Sequence, residues 1–227
     1  MTRPVRVVLI DSGVHAAHPH VGGVSGGVGI DSSGDLHDDF VDRLGHGTAV
    51  AAVVREKAPA AEILIAKVFD RELAATGPAL VAAGEWAIEQ RADVVNLSLG
   101  TTNAQHEGAL AVVVSRLRES GAVIIAAGPQ DGVAWLPGRL PGVWSVTLDW
   151  SLPREQCRVA VSPAREVSFT ASGFPRPIPG VPPEKNLKGL SFAVANVSGL
   201  VAALIANEPG TDPVDLLLRA VSTGRMG

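Results

Sequence analysis

The chain has 227 residues, enough to bury a sizeable core without a second domain, so one domain over 1–227 is expected. With 46% hydrophobic and 19% charged residues the composition is that of a globular protein, not a disordered one, and a formal net charge of −4 offers no basic footprint for nucleic acid. The single cysteine, Cys157, excludes an internal disulfide.

The opening run "MTRPVRVVLIDSGV" enters an apolar strand without the cationic, apolar and small-residue sections of a signal peptide. Apolar stretches such as residues 200–206 are too short to span a bilayer, so a soluble, cytoplasmic chain without a membrane partner is the expectation. Short β-branched runs at 5–10, 63–68, 94–97 and 123–126 read as strands buried on both faces. Between them "HGTAVAAVVREKAP", "GPALVAAGEWAIEQRAD" and "NAQHEGALAVVVSRLRESG" carry Ala, Val, Leu and Glu at helical spacing, with Gly121 as the stop of the third. Strand and helix in turn imply an α/β fold with three αβα layers and a mostly parallel central sheet. From 142 to 174 the strands "VWSVTLDW", "CRVAVS" and "EVSFTASG" crowd together, predicting shorter, partly antiparallel connections. The Pro- and Gly-dense run 173–189 is loop, and "LSFAVANVSGLVAALIANEPG" opens a long apolar helix closed by Pro209 and Gly210.

Three polar residues fall at strand ends and helix starts, on the side where open α/β sheets bind ligands. They are Asp11 after "VRVVLI", His46 in "GHGTAV" and Ser191 in "GLSFA". A serine hydroxyl is a weak nucleophile until a base takes its proton, and an imidazole base needs an acid to fix its tautomer and steady its charged form. Taken singly, each has a plainer reading: Asp11 as a strand-end turn, His46 and Ser191 as helix caps.

The order Asp, His, Ser and its flanks resemble the subtilisin-type serine proteases (subtilases, peptidase family S8). "VVLIDSGV", "HGTAVAAVV" and "GLSFAVANVSGLVAALI" are similar to that family's three active-site motifs, and "APAAEILIAKVFD", "EWAIEQRADVVNLSLG", "VIIAAG" and "LPGRLPGVWSV" follow in the family's order. The resemblance implies that Asp11 orients, His46 is general base and then acid, and Ser191 attacks the scissile carbonyl. It also implies that Ser98, Leu99 and Gly100 pair with an extended peptide or protein substrate, and that Ala126, Ala127 and Gly128 wall the main specificity pocket; by themselves both segments read as buried strand and Gly turn. Trp135 aligns with the floor of that pocket, where it would favour a small residue before the cut, though a core or surface position fits the residues as well. No cofactor is implied.

Several departures bear on activity. Subtilisins place an oxyanion-binding asparagine where this chain has Pro129, which has no donor; Gln130, one position later, is the expected substitute. The residue before the nucleophile is Leu190 instead of threonine, and Ala195 and Asn196 replace the family's proline and histidine. The loop that would carry the family's calcium is missing between Val54 and Ala58, and the acidic stretch of Asp31, Asp35, Asp38, Asp39 and Asp42 reads as solvated surface, so no metal site is expected. With no inhibitory pro-segment before the first strand, a self-folding enzyme limited by narrow specificity is expected, such as one maturing a precursor peptide. The alternatives are a weak or inactive peptide-binding module and a peptide transferase or macrocyclase using the same three residues.

Overall fold

The computed structural model describes residues 3–224. A nine-stranded sheet runs through the middle in the order β3-β2-β4-β1-β5-β6-β7-β9-β8. Its strands are β1 Arg6–Asp11, β2 Gly26–Ile30, β3 Leu36–His37, β4 Glu62–Lys67, β5 Val94–Leu97, β6 Val123–Ala127, β7 Trp144–Leu148, β8 Cys157–Val161 and β9 Val167–Ala171. The helices are α1 His46–Lys57, α2 Gly77–Glu89, α3 Glu107–Glu119, α4 Leu190–Asn207 and α5 Pro213–Ser222. The sheet is parallel except at its two edges, where β3 pairs antiparallel with β2 and β8 with β9.

The unbroken apolar runs follow from this geometry. Successive side chains of a strand point to opposite faces, and here both faces are covered. Val7 and Leu9 of β1, Ile63 and Ile65 of β4, and Val123, Ile125 and Ala127 of β6 enter one core with α1, α4 and α5. Val8 and Ile10, Leu64 and Ala66, and Ile124 and Ala126 enter the other with α2 and α3. Two helix starts are fixed by side chains: Thr76 accepts from the Ala79 N–H, and Asp212 accepts from Val214 and Asp215 ahead of a proline at the first helical position.

Helix α4 departs from the expectation that no segment is long and apolar enough for a bilayer. Its 18 residues have a mean hydropathy of 1.7, sufficient by length and composition, and 56% of them are buried inside the protein. The middle of this helix also carries the buried polar side chains Asn196 and Ser198. The Asn196 amide donates to the carbonyls of Ser172 and Phe174 at 3.0 and 3.1 Å, tying α4 to the end of β9.

Candidate active site

Parallel strands β1, β5 and β6 all end at one edge of the sheet, and the starts of α1 and α4 converge there. Asp11, the last residue of β1, is 1% exposed; its Oδ1 lies 2.7 Å from His46 Nδ1 and accepts the Ser12 N–H at 2.7 Å. His46 is the first residue of α1, whose cap is Gly45, so the imidazole is not a helix cap. Gly47 lets α1 approach: a Cβ there would lie 2.2 Å from the Gly13 carbonyl oxygen. Its N–H donates to Ser12 Oγ, which in turn donates to Asp42 Oδ1, both at 2.9 Å.

Asp42 is a correction to the solvated acidic stretch. It is 2% exposed and accepts from the N–H groups of Leu44, Gly45 and Thr48 at 2.9 Å and from Thr48 Oγ1 at 2.6 Å, besides Ser12. Burial alone would raise its pKa, but the bonds from Thr48, Leu44 and Ser12 outweigh burial and hold the carboxyl below its ordinary value. A helix entry with unpaired N–H groups is where a carboxylate is favoured. Its function was hidden because the partners, Ser12 and Thr48, lie in other elements.

The electrostatics of His46 set two opposing effects against each other. Burial, the largest, disfavours the charged imidazolium; the hydrogen bond and charge of Asp11, with the charge of Asp42, outweigh it and raise the pKa above 6.5. Asp11 Oδ2 is buried without a hydrogen-bond partner, so the carboxylate's compensation runs through Oδ1 and the ring beside it.

Ser191 is the second residue of α4 and the helix cap is Gly189, so the serine is not a cap either. In this structure Ser191 Oγ donates to the Ser98 carbonyl at 3.1 Å, and Ser98 Oγ donates to the Ser191 carbonyl at 3.0 Å. Behind this clamp the Asn96 amide donates to Ser98 Oγ at 2.9 Å and accepts from Ser198 Oγ at 3.0 Å. Asn96 and Ser198 are fully buried. An unmatched polar group in such a dry place costs about 1–3 kcal/mol, so the chain of bonds fixes β5, α4 and the hydroxyl-bearing turn as one unit. The signal for it was the pair of polar letters inside the buried run "VVNLS".

His46 and Ser191 border one cavity of about 460 Å³, with Ser98, Leu99, Gly100, Ala127 and Trp135 in its lining. Its two walls are stitched by Thr101 and Leu136, which exchange N–H···O bonds of 2.9 Å. Ala126 and Gly128 differ from expectation: neither lines the cavity. Ala126 points into the core beneath α2 and α3, the face opposite Ala127, and Gly128 is buried with its N–H on the Val146 carbonyl at 2.7 Å. A larger depression of about 640 Å³ shares Phe69, Ala74 and Ala75 with the cavity but none of the three candidate residues. Several of its charged side chains pair with one another: Lys67 with Asp70 at 2.9 Å, and Arg43 with Asp39 at 2.7 Å and Asp70 at 2.9 Å.

Gln130 is not brought to the cavity. Asp131 and Gly132, at φ 51° and 79°, make a two-residue hairpin turn in which Gln130 and Val133 exchange 2.9 Å bonds. That turn aims the carboxamide at β7: Oε1 accepts the Leu148 N–H at 3.1 Å, while Nε2 donates to Asp131 at 3.3 Å. Among the described residues, no three His, Cys, Asp or Glu side chains converge as a metal-binding group, and α1 continues unbroken to Lys57 where the family's calcium loop would interrupt it.

The three-layer αβα fold thus sets His46, with its buried carboxylate partner Asp11, and Ser191 at the C-terminal edge of the sheet, in the chain order Asp, His, Ser. The chain belongs to the subtilase family, whose sequence pattern matches residues 2–148. It is 29% identical over 180 residues to the minor extracellular protease Epr of Bacillus subtilis (strain 168), covering 74% of this chain and 27% of that protein. Against subtilisin E of the same organism it is 27% identical over 230 residues, covering 90% of this chain and 56% of the relative. The chain therefore spans only about a quarter to a half of the length of these relatives. Among solved structures it is similar to the prenylagaramide maturation protease PagA, with a TM-score of 0.66, 25% identity and coverage of 92% of this chain and 79% of that one. The nisin leader peptidase NisP from Lactococcus lactis shares the fold, with a TM-score of 0.70 over 96% of this chain and 82% of that one at 16% identity. Membership of the family supports a serine-protease mechanism.

Proposed function

We propose that the chain is a serine endopeptidase acting through Asp11, His46 and Ser191. The observation that carries this is the 2.7 Å contact of a buried Asp11 with His46 Nδ1, with His46 and Ser191 both lining one cavity. In this mechanism the Ser191 hydroxyl leaves the Ser98 carbonyl, which it meets at 3.1 Å, and gives its proton to the imidazole nitrogen that Asp11 leaves free. Ser191 Oγ attacks the peptide carbonyl, His46 accepts the proton and returns it to the departing amine, and water then cleaves the acyl ester with His46 as base. The Ser191 N–H, which has no partner four residues back in α4, faces the developing oxyanion at the positive end of the helix. An extended substrate pairs with the 98–100 edge, its main chain supplying affinity and alternate side chains specificity.

The test is a fluorophosphonate probe, with the adduct located by mass spectrometry. Modification confined to Ser191 is expected; an intact protein that takes up no probe would leave a peptide-binding module as the better description.

Within this reading the substrate is a peptide precursor cut at a narrow site. What supports it is the similarity to PagA and the presence of Trp135 in the lining of the cavity. An indole occupies volume that a substrate side chain would otherwise fill, and one or two methylenes of misfit are worth about tenfold or more in kcat/KM. A peptide library is expected to show cleavage after small residues at least about tenfold faster than after Phe or Tyr. Equal or faster cleavage after the aromatics would remove Trp135 from the specificity pocket.

A further inference from the structure

Away from the cavity that holds His46 and Ser191, the loop after β9 and the connection between β7 and β8 enclose a smaller one of about 340 Å³. The two cavities share no lining residue. Leu152, Pro153, Phe174, Pro175, Pro177 and Val181 make most of the smaller cavity's wall apolar. A proline ring fixes φ, so the three prolines set this wall before any ligand arrives and lower the ordering cost of binding.

One polar side chain in the wall has nothing to bond. Ser172, which follows β9, is fully buried, and its Oγ has no hydrogen-bond partner among the described residues. The adjoining Asn196 carboxamide commits its NH₂ group to the Ser172 and Phe174 carbonyls, and its Oδ1 is likewise buried without a partner. Buried polar groups in folded proteins are nearly always bonded, so two such atoms on linked side chains beside a cavity call for a group that enters from it.

The surroundings decide its chemistry. Arg154 in the lining is paired with Glu56 and donates to the Phe174 carbonyl at 3.2 Å, so its charge is already answered, and Glu184 adds a carboxylate that repels an anion. A charge buried here without a partner would be costly, so the entering head is neutral. Ser172 Oγ can donate or accept and Asn196 Oδ1 only accepts; a hydroxyl or a primary carboxamide suits both. The volume is near the lower end for ligand pockets, room for about ten non-hydrogen atoms.

We propose that this cavity binds a small neutral amphiphile, an alcohol or primary amide whose apolar body lies against the prolines and Phe174 and whose head bonds to Ser172 Oγ. The site is separate from the peptidase cavity and stands whether or not the chain cleaves peptides.

The experiment titrates the whole chain with hexanamide and, separately, with hexanoate, following backbone amide shifts by NMR. Hexanamide is expected to bind saturably with a Kd on the order of 1 mM, its shifts centred on residues 152–154 and 172–186, and hexanoate at least about tenfold more weakly. Ser172→Ala keeps the backbone carbonyl that Asn196 holds and is expected to weaken hexanamide about tenfold. In the ligand-free protein the same change should leave the melting temperature unchanged or raise it, because it deletes an unbonded hydroxyl. Val181→Asp puts a charge into the apolar wall at a residue 38% exposed, where the fold tolerates it, and should weaken hexanamide at least as much. No saturable shift up to the solubility of hexanamide, hexanoate binding as tightly, or an affinity that Ser172→Ala leaves in place overturns the site. A clear fall in the melting temperature of ligand-free Ser172→Ala overturns it too, by showing a hydroxyl bonded to ordered water only.

Discussion

Asp11→Asn is expected to lower kcat about 10⁴-fold with little change in the fold, the magnitude associated with the same change in Ser-His-Asp enzymes. Asn is nearly isosteric, but Asp11 Oδ1 serves both the Ser12 N–H and His46 Nδ1, so an amide nitrogen set against the ring takes the acceptor away from Ser12. What is lost is the negative charge 2.7 Å from His46 Nδ1. An amide offering its NH₂ group to Nδ1 moves the ring proton to the face toward Ser191, where the base must be bare. Steady-state kinetics on a peptide substrate, with a melting curve to show the fold intact, makes the measurement. Ser191→Ala should fall at least as far, and the two changes combined should cost little more than one, because the residues act as a unit. Additive losses would mean that Asp11 and Ser191 serve separate purposes.

The sequence was informative wherever a single element carries both its own pattern and its function. Strands β1, β4, β5 and β6 were legible as continuous β-branched runs because burial on both faces removes any need for polar residues. The positions of Asp11 at a strand end and of His46 and Ser191 at helix starts were legible because each adjoins such a run or an apolar helix pattern with a Gly beside or near it. Strand β2 was not: "GGVGI" lacks β-branched density, and its glycines answer to close packing, since a Cβ on Gly27 would meet the Phe40 ring at 2.8 Å. The same limit explains Gln130. Its chemistry matched the missing oxyanion donor, but the Asp131-Gly132 turn that points it toward Leu148 is a matter of backbone direction, which residue type alone does not reveal. Asp42 and the Asn96-Ser98-Ser198 chain were hidden for a related reason, because each bonds across elements distant in sequence.

The pH profile follows from the same carboxylate. In the proposed mechanism His46 acts as base only when neutral, and its pKa is raised above 6.5 because Asp11 and Asp42 together overcome the opposing effect of burial. The acidic limb of kcat/KM is therefore expected to have its midpoint above 6.5, with about a tenfold loss for each pH unit below it. Stability runs the other way. A folded-state pKa above the unfolded value means that the Asp11-imidazolium pair stabilises the fold fully below about 6.5 and loses that contribution as pH rises through the folded pKa. Activity should thus rise over the same interval in which this contribution to stability fades. Asp11→Asn separates the causes: with the main raising influence gone, burial dominates, and the limb of the residual activity is expected to move to lower pH. An acidic limb centred well below 6.5 in the unaltered protein, or one that Asp11→Asn leaves in place, would show that another group governs the profile and that the carboxylate does not control the protonation of His46.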